Sequence, residues 1–154
     1  MNIFEVLTKL NINYEVISHE AVYTVEQAKK IKHQLSGIGC KNLFIKDKNK
    51  NYYLLILEEN KKADFKTIEK AISTKGLTFA STEELKNILN LEPGSVTPLS
   101  IINDKDNKVL LIFDKDLKNN RILCHPNVNT KTLSLEFKDL ERLIDYTKHK
   151  YIFL

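Results

Sequence analysis

Residues 42–57, with the sequence NLFIKDKNKNYYLLIL, decide the fold class of this chain of 154 residues. The apolar runs 42–46 and 52–57 predict two strands, and the polar residues 47–50 between them predict the turn of a β-hairpin. Further strands along the chain also come as hairpins rather than alternating one by one with helices. We therefore predict an α+β fold with a mixed, mainly antiparallel sheet flanked by helices.

The other elements follow from apolar periodicity and from helix-capping residues. Residues 24–27 and 81–84 are capping boxes, in which a hydroxyl group and a Glu or Gln side chain satisfy amides at the start of a helix. Helices are predicted at 3–10, 24 to about 35, 64–72, 81–89 and 137–146. Strands are predicted at 14–18, 77–80, 100–102, 109–113, 121–124, 132–135 and 151–154, with 100–102 and 109–113 forming a second hairpin.

The composition predicts one globular domain over residues 1–154. Hydrophobic residues make up 42% of the chain and the net charge is only +4, whereas disordered chains are less apolar and more highly charged. No apolar run reaches the ~20 residues that span a bilayer. The N-terminal residues also lack the pattern of a signal peptide. We therefore expect a cytoplasmic protein with no membrane partner.

Lysine carries almost all of the positive charge, since only Arg121 and Arg142 among the 24 basic residues are arginines. Lysine is a flexible point charge, whereas the planar guanidinium of arginine reads base edges and clamps phosphates with two hydrogen bonds. The acidic residues are interspersed with the lysines. This pattern permits a polyanionic partner, although it is more typical of an ordinary solvated surface.

Metal and covalent chemistry are not indicated by the sequence. Cys40 and Cys124 do not form a C-x-x-C pair, and the four histidines are spread along the chain without ligand spacing. The G-x-S-x-G, Walker and H-E-x-x-H motifs are absent from the sequence. We expect no cofactor and no metal, and we expect any catalysis to depend on positioning and backbone donors.

Three segments carry residues that packing alone does not require. Lys46 ends an apolar strand, residues 93–98 (PGSVTP) hold Gly94 between two prolines, and residues 125–130 (HPNVNT) begin with a His-Pro pair. A loop such as 93–98 can direct successive amides toward an anion or an oxyanion. Each segment also has a structural explanation: a strand that reaches water, a tight connection and a run of turn-forming residues.

Together these segments resemble a known family. The resemblance rests on the stretches KNLFIKD (41–47), GSVTP (94–98), HPNVNT (125–130), FAS (79–81) and residues 19–24. In type and order these stretches are similar to the motifs of the prolyl-tRNA editing (YbaK-like, ProX-like) aminoacyl-tRNA deacylases. That family is related to the editing domain inserted in bacterial prolyl-tRNA synthetases. The resemblance implies hydrolysis of an amino acid wrongly esterified to tRNA and a compact fold with a partly barrel-like sheet. The GSVTP loop is closer to the relatives that remove alanine from proline tRNA.

The resemblance also implies a set of site residues. The implied catalytic residues are Lys46, Gly94, Ser95, Val96 and His125. The loop amides would stabilise the oxyanion, the lysine would hold the terminal phosphate or the carbonyl, and the histidine would orient the α-amino group or a water. The implied substrate-binding residues are His19, Tyr23, Thr24, Thr97, Pro98 and Asn129. Phosphates of the single-stranded acceptor end would be attracted by lysines on a turn and a loop near Lys46, namely Lys48, Lys50, Lys61 and Lys62.

Other interpretations stay open at the level of sequence. Cysteine is an alternative amino acid for removal from proline tRNA. A catalytically silent tRNA or nucleic-acid binding module would use the same basic face, and a small-molecule binding domain without an RNA partner also fits the composition. The sequence leaves open the nucleophile, the role of His125, the oligomeric state and whether prolyl-tRNA synthetase is a partner.

Overall fold

The predicted hairpin is central to the fold in the computed structural model, which describes residues 2–21 and 34–154. The strands are β1 (Tyr14–Ser18), β2 (Ile38–Lys46), β3 (Tyr52–Glu58), β4 (Thr78–Phe79), β5 (Val109–Phe113), β6 (Arg121–Cys124), β7 (Lys131–Glu136) and β8 (Tyr151–Phe153). The α-helices are α1 (Ile3–Lys9), α2 (Phe65–Ile72), α3 (Thr82–Leu89) and α4 (Phe137–Thr147). Short 3-10 helices run over Pro98–Asn103 and Lys115–Leu117.

The eight strands form a mixed sheet in the order β1-β7-β6-β2-β3-β5-β8, with β4 paired to β2. β2 is antiparallel to β3, as the hairpin requires, whereas β2–β6, β3–β5 and β5–β8 are parallel pairs. Within the described residues β1 and β8 end the strand order, so the sheet is open rather than a closed barrel. The predicted α+β class with a mixed sheet is confirmed.

The turn of the hairpin is organised by the buried carboxylate of Asp47. It accepts hydrogen bonds from the amides of Asn49 and Asn51, at 2.9 and 3.0 Å, and from the hydroxyl groups of Tyr53 and Thr74, at 2.9 and 2.7 Å. Burial alone would raise the pKa of Asp47, but these donors stabilise the charged form and hold that pKa well below its usual range. The turn is therefore fixed in place.

Two apolar clusters lie on opposite faces of the sheet. The larger cluster includes Phe113 and Phe137, whose rings meet edge to face with centroids 5.0 Å apart, and it receives residues from α1, α3 and α4. The smaller cluster packs α2 against the hairpin. Alternation along β2 assigns Phe44 to the larger cluster and Ile45 to the smaller one. Packing on the larger cluster fixes α3 and the segment that follows it.

The predicted helix starts are confirmed where the structure describes them. α2 begins after Asp64, whose carboxylate accepts the amide of Thr67, and α3 begins after Ser81, which forms a capping box with Glu84. The other predicted capping box, at 24–27, and almost all of the helix predicted after it lie outside the described residues. None of the helices in the described ranges is long and apolar enough to cross a bilayer.

One strand prediction is wrong. Residues 100–102 belong to the 3-10 helix Pro98–Asn103, so they form no hairpin with β5. The hydroxyl group of Thr97 caps this helix by accepting the amide of Leu99 at 3.3 Å. Pro98 takes the first helical position, where its fixed φ suits a helix and its missing N–H costs nothing. This Thr-Pro start outweighs the strand propensity of the isoleucines that follow.

Candidate active site

The segment between α3 and the long 3-10 helix forms the loop that the sequence indicates as a backbone donor. α3 ends at Asn90 in a left-handed conformation, and Gly94 follows with a φ of +89°, which glycine adopts without steric cost. The amide of Ser95 donates to the carbonyl of Glu92 at 3.2 Å, whereas the amides of Gly94 and Val96 donate no hydrogen bond within the described residues. Two of the three loop amides therefore remain for a ligand.

Thr97 anchors this loop on the end of β6. Its side chain is fully buried beside the thiol of Cys124, the last residue of β6, and Pro98 is buried as well. His125 follows Cys124 directly. The anchor therefore brings the loop 93–97 next to the second predicted segment, at 125–130.

Both cysteines of the chain lie in the described part of the structure, where Cys124 is buried and Cys40 is half-buried. Burial raises the pKa of Cys124 to about 12 and also raises the pKa of Cys40, so both thiols stay protonated at neutral pH and are poor nucleophiles. No group of three or more His, Cys, Asp or Glu side chains among the described residues could hold a metal ion.

His125 and His19 lie side by side, with their ring centroids 6.4 Å apart. Nδ1 of His125 is 3.0 Å from the carbonyl oxygen of Lys131, which can only accept, so Nε2 of the neutral ring is left as an acceptor. Burial lowers the pKa of His125, and the charge of His19 lowers it further. His19 is itself held by the carbonyl of Glu20 at 2.6 Å and by the hydroxyl group of Thr132 at 2.8 Å. The site thus contains a neutral, oriented imidazole at pH 7.

An open groove of about 350 Å³ separates the two segments. Its lining consists of Asn90, Glu92, Pro93, Ser95 and residues 127–130. Asn127 has a φ of +65°, and its buried Oδ1 atom has no hydrogen-bond partner among residues 2–21 and 34–154. A buried acceptor without a donor is costly, and an N–H group of a ligand would satisfy it. The groove therefore joins the predicted Ser95 and Asn129 with Asn127, which belongs to the predicted segment 125–130.

A second buried acceptor without a partner is Oδ1 of Asn42 in β2. Asn42 follows the part of β2 that pairs in parallel with β6, where Ile38 lies opposite Ile122 and Gly39 opposite Leu123. The ammonium group of Lys41 donates to a backbone carbonyl in the connection between β3 and α2, at 2.6 Å. An asparagine inside an apolar strand is the sequence signal that could have indicated this position.

Lys46 lies at the opposite end of α3 from the groove. Its ammonium group is 2.8 Å from Oε1 of Glu84 in the first turn of α3, and the hydroxyl group of Tyr52 donates to the other carboxylate oxygen. Hydrogen bonds from Lys46, the Ser81 amide and Tyr52 lower the pKa of Glu84 to about 2. Glu84 and Asn90 are six positions apart, which is about 9 Å along a helix axis. The catalytic role of Lys46 stays a prediction.

The lysines predicted to bind tRNA differ in how strongly they are paired. Lys61 lies 2.7 Å from Asp114 and 2.6 Å from Asp116, and hydrogen bonds to these two carboxylates raise the pKa of Lys61. Its charge is therefore compensated within the protein. The other three are exposed and form no ion pair within the described ranges: Lys48, Lys50 and Lys62. Two predicted substrate-binding residues lie outside the described residues, namely Tyr23 and Thr24.

Comparison with known proteins identifies the family. The profile of the aminoacyl-tRNA editing domain matches residues 19–143, a range that contains both loops, the groove and His125. The chain belongs to the aminoacyl-tRNA editing family. Editing domains hydrolyse the ester between tRNA and a wrongly attached amino acid, so this family member is an aminoacyl-tRNA deacylase.

Two relatives of this editing protein match over most of their length. One is the prolyl-tRNA editing protein ProX of Acetoanaerobium sticklandii, 37% identical over 140 residues, with 90% of this chain and 85% of the relative covered. Another is prolyl-tRNA synthetase associated domain-containing protein 1 of Danio rerio, 31% identical over 153 residues, with 97% and 83% covered. A solved structure of a protein proposed to be a trans-editing enzyme for prolyl tRNA synthetase has a TM-score of 0.74 at 17% identity, covering 97% of this chain and 92% of that chain. At that identity the likeness concerns the fold alone.

Proposed function

We propose that this deacylase removes alanine from proline tRNA in trans, as a protein separate from the synthetase. The observation that carries the proposal is the family match over residues 19–143. This range includes the segments 93–98 and 125–130, which lie on the two sides of the groove. The relative from Acetoanaerobium sticklandii is named a prolyl-tRNA editing protein. The loop 94–98 resembles that of relatives that act on alanine.

The loop is suited to hold the carbonyl group of the ester. The amides of Gly94 and Val96 have no acceptor within the described residues, and amides aimed at a carbonyl oxygen stabilise the negative charge that develops there during hydrolysis. An ester is already activated, so a water or the neighbouring ribose hydroxyl group can begin the attack once the carbonyl is held. With water as the nucleophile, its oxygen bonds to the carbonyl carbon, and the ribose oxygen leaves and takes a proton.

The α-ammonium group of the substrate has two acceptors beside this loop. Oδ1 of Asn127 is buried and has no donor in the described part of the chain. Nε2 of His125 is an acceptor because Nδ1 donates to the carbonyl of Lys131. The C-terminal end of α3 adds the partial negative charge of its last carbonyl groups, which favours a cation. These groups would fix the amino acid while the loop amides hold its carbonyl.

Pocket size supplies the choice between alanine and proline. A synthetase site built for proline cannot strongly exclude a smaller amino acid, since one methylene group changes binding by only about 1–3 kcal/mol. A second site that admits alanine and excludes the proline ring by steric contact corrects the error, which is the double-sieve arrangement. We expect the groove between residues 93–95 and 127–130 to be that second site.

Deacylation assays with radiolabelled Ala-tRNA(Pro), Cys-tRNA(Pro) and Pro-tRNA(Pro) test the proposal. We expect fast release of alanine, slower release of cysteine, and release of proline at the spontaneous rate. Ala-tRNA(Ala) is the control for tRNA identity, and it should be hydrolysed more slowly than Ala-tRNA(Pro). No release of alanine at catalytic concentrations of the protein would contradict the proposed substrate, and faster release of cysteine would reassign it.

A further inference from the structure

Phe79 is exposed to an extent that the fold does not require. It is 61% exposed, whereas the other exposed large hydrophobic residues in the described part of the chain are 38–43% exposed. Phe79 lies on β4 opposite Ile45 of β2, and its ring packs on Phe65 with the centroids 5.5 Å apart. The strand and the second ring hold Phe79 in place, so it presents a fixed flat surface to solvent.

Exposed lysines lie on the segments next to this pair of rings. The amide of Lys48 in the hairpin turn donates to the carbonyl of Lys75 at 3.1 Å, so the turn and the segment that leads into β4 are in contact. Lys66 follows Phe65 in α2, and together with Lys70 and Lys75 it lines a groove of about 430 Å³. The aromatic–lysine surface is defined by Phe65, Phe79, Lys48, Lys66, Lys70 and Lys75.

Acidic residues do not neutralise this surface. Glu69 lines the same groove and lies 3.7 Å from Lys66, but its side chain is only 12% exposed and accepts the amide of Leu77 at 2.9 Å. The carboxylate of Asp64 is occupied by the amide and hydroxyl group of Thr67 at the start of α2. The buried carboxylate of Asp47 lies beneath the turn and accepts the hydroxyl group of Thr74 at 2.7 Å. Four exposed lysines against these three carboxylates leave the surface with a net positive charge.

We propose that the aromatic–lysine surface binds the single-stranded 3′ end of the tRNA acceptor, with one unpaired base stacked on Phe79 and phosphates at the lysines. This inference rests on the proposed function, because the RNA is the one whose aminoacyl ester is hydrolysed. Aromatic rings combined with a positive groove bind single-stranded nucleic acid without reading its sequence, since every base has a flat face. Lysines suffice for this task because phosphate attraction needs no two-pronged base contact.

α3 links one edge of this surface to the candidate active site, while α2 packs on the opposite face of the sheet. Phe79 precedes the N-cap residue of α3 by two positions, and the groove for the amino acid begins at Asn90, the C-cap of the same helix. α3 contains eight residues, which corresponds to about 12 Å. The esterified terminal nucleotide occupies the groove, so the base that meets Phe79 belongs to an unpaired nucleotide that precedes it.

Substitution of Phe79 tests the stacking. Phe79→Ala should weaken binding of uncharged tRNA(Pro) and raise KM for Ala-tRNA(Pro) by about 5- to 150-fold, the range expected for one stacked base, with kcat unchanged. Phe79→Trp should keep KM near the wild-type value. Tyr146→Ala is the matched control and should change neither quantity, because Tyr146 is another exposed aromatic residue with a lysine ammonium 5.4 Å from its ring centroid.

A truncated substrate separates stacking from a change in the groove. Alanine esterified to adenosine lacks the preceding nucleotides, so Phe79→Ala should hydrolyse it at the wild-type rate. An equal loss with this ester and with full tRNA would overturn the proposal, and so would an unchanged KM and affinity for tRNA. If the wild-type protein does not deacylate Ala-tRNA(Pro), the proposed substrate is disproved. The aromatic–lysine surface is still tested in that case, because binding of uncharged tRNA(Pro) to the wild-type protein and to Phe79→Ala can be compared without hydrolysis.

Discussion

The two ends of α3 differ in how completely their polar groups are satisfied. At the N-terminal end, Glu84 holds the ammonium group of Lys46 and caps its own helix. At the C-terminal end, Oδ1 of Asn127 is buried without a donor, and two loop amides donate to nothing within the described residues. Buried groups without partners are costly and are expected where a ligand completes them. The difference favours chemistry at the C-terminal end and RNA binding at the N-terminal end.

The two ends also differ in charge. Exposed lysines lie near the N-terminal end. At the other end the groove is lined by Glu92, whose carboxylate is 3.2 Å from Lys86, and the neutral His125 precedes the segment that lines its other side. A phosphate near the start of a helix and an ammonium group near its end both interact favourably with the helix dipole. A substrate that carries both groups would therefore be oriented along α3.

The largest effect is expected in the groove. Gly94→Ala adds a Cβ atom at a φ of +89°, where other residues are strained, so the loop amides must move. Because the loss of one oxyanion donor lowers kcat by about 10²–10³-fold, we expect kcat to fall by about 100-fold with KM for tRNA nearly unchanged. Single-turnover deacylation of Ala-tRNA(Pro) measures this.

Gly76→Ala is the matched control for backbone strain. Gly76 has a φ of +73° and lies outside the groove, so alanine there should lower the melting temperature without lowering kcat at saturating substrate. Equal losses of kcat in the two variants, or a wild-type kcat in Gly94→Ala, would show that the loop has only a structural role. Either result would contradict the assignment of the chemistry to the C-terminal end of α3.

A smaller effect is expected from His125, with a defined pH dependence. Loss of its hydrogen bond to the charged α-ammonium group in His125→Ala should lower kcat/KM by about 10-fold. Since burial lowers the pKa of His125, the accepting neutral form persists above the ordinary value of about 6.5 and is lost only as pH falls through the lowered pKa. The wild-type kcat/KM should therefore stay level down through pH 6.5 and fall only at lower pH, where His125 becomes protonated, and His125→Ala should lack this acid limb. An identical limb in both proteins would assign it to another group.

Lys46→Ala tests the N-terminal end. We expect kcat/KM to fall by about 10-fold, or about 1.4 kcal/mol, and mainly through KM, because a held phosphate is bound equally before and during the reaction. A loss confined to kcat in Lys46→Ala would place its ammonium group at the carbonyl, and an unchanged kcat/KM would exclude Lys46 from the mechanism.

Local patterns in the sequence predict the local elements of this fold. The hairpin 42–57 and the capping box at 81–84 are stabilised by residues close in sequence, so their patterns are sufficient. The parallel pairing of β2 with β6 joins residues far apart in the chain, and no local pattern indicates it. Residues 100–102 were apolar enough for a strand, but the Thr-Pro sequence before them starts a 3-10 helix.

The site shows the same limit. The order of the segments 93–98 and 125–130 indicated both sides of the groove that the structure brings together. The pairing of Lys46 with Glu84 and the missing donor of Asn127 depend on tertiary contacts, which the sequence does not contain.

The smallest expected effect concerns the salt dependence of RNA binding. Lys66 belongs to the aromatic–lysine surface, and its side chain is 89% exposed. For a single strand, each phosphate that the protein no longer neutralises lowers the slope of log affinity against log salt by about 0.7. Lys66→Ala should therefore flatten that slope by about this amount and weaken binding of uncharged tRNA(Pro) only a few-fold at physiological salt, with kcat unchanged. Lys138→Ala, an exposed lysine on α4, should keep the wild-type slope. Fluorescence anisotropy at several salt concentrations measures both variants. Equal slopes in all three proteins would remove Lys66 from the RNA interface and leave Phe79 as the main evidence for RNA at the N-terminal end of α3.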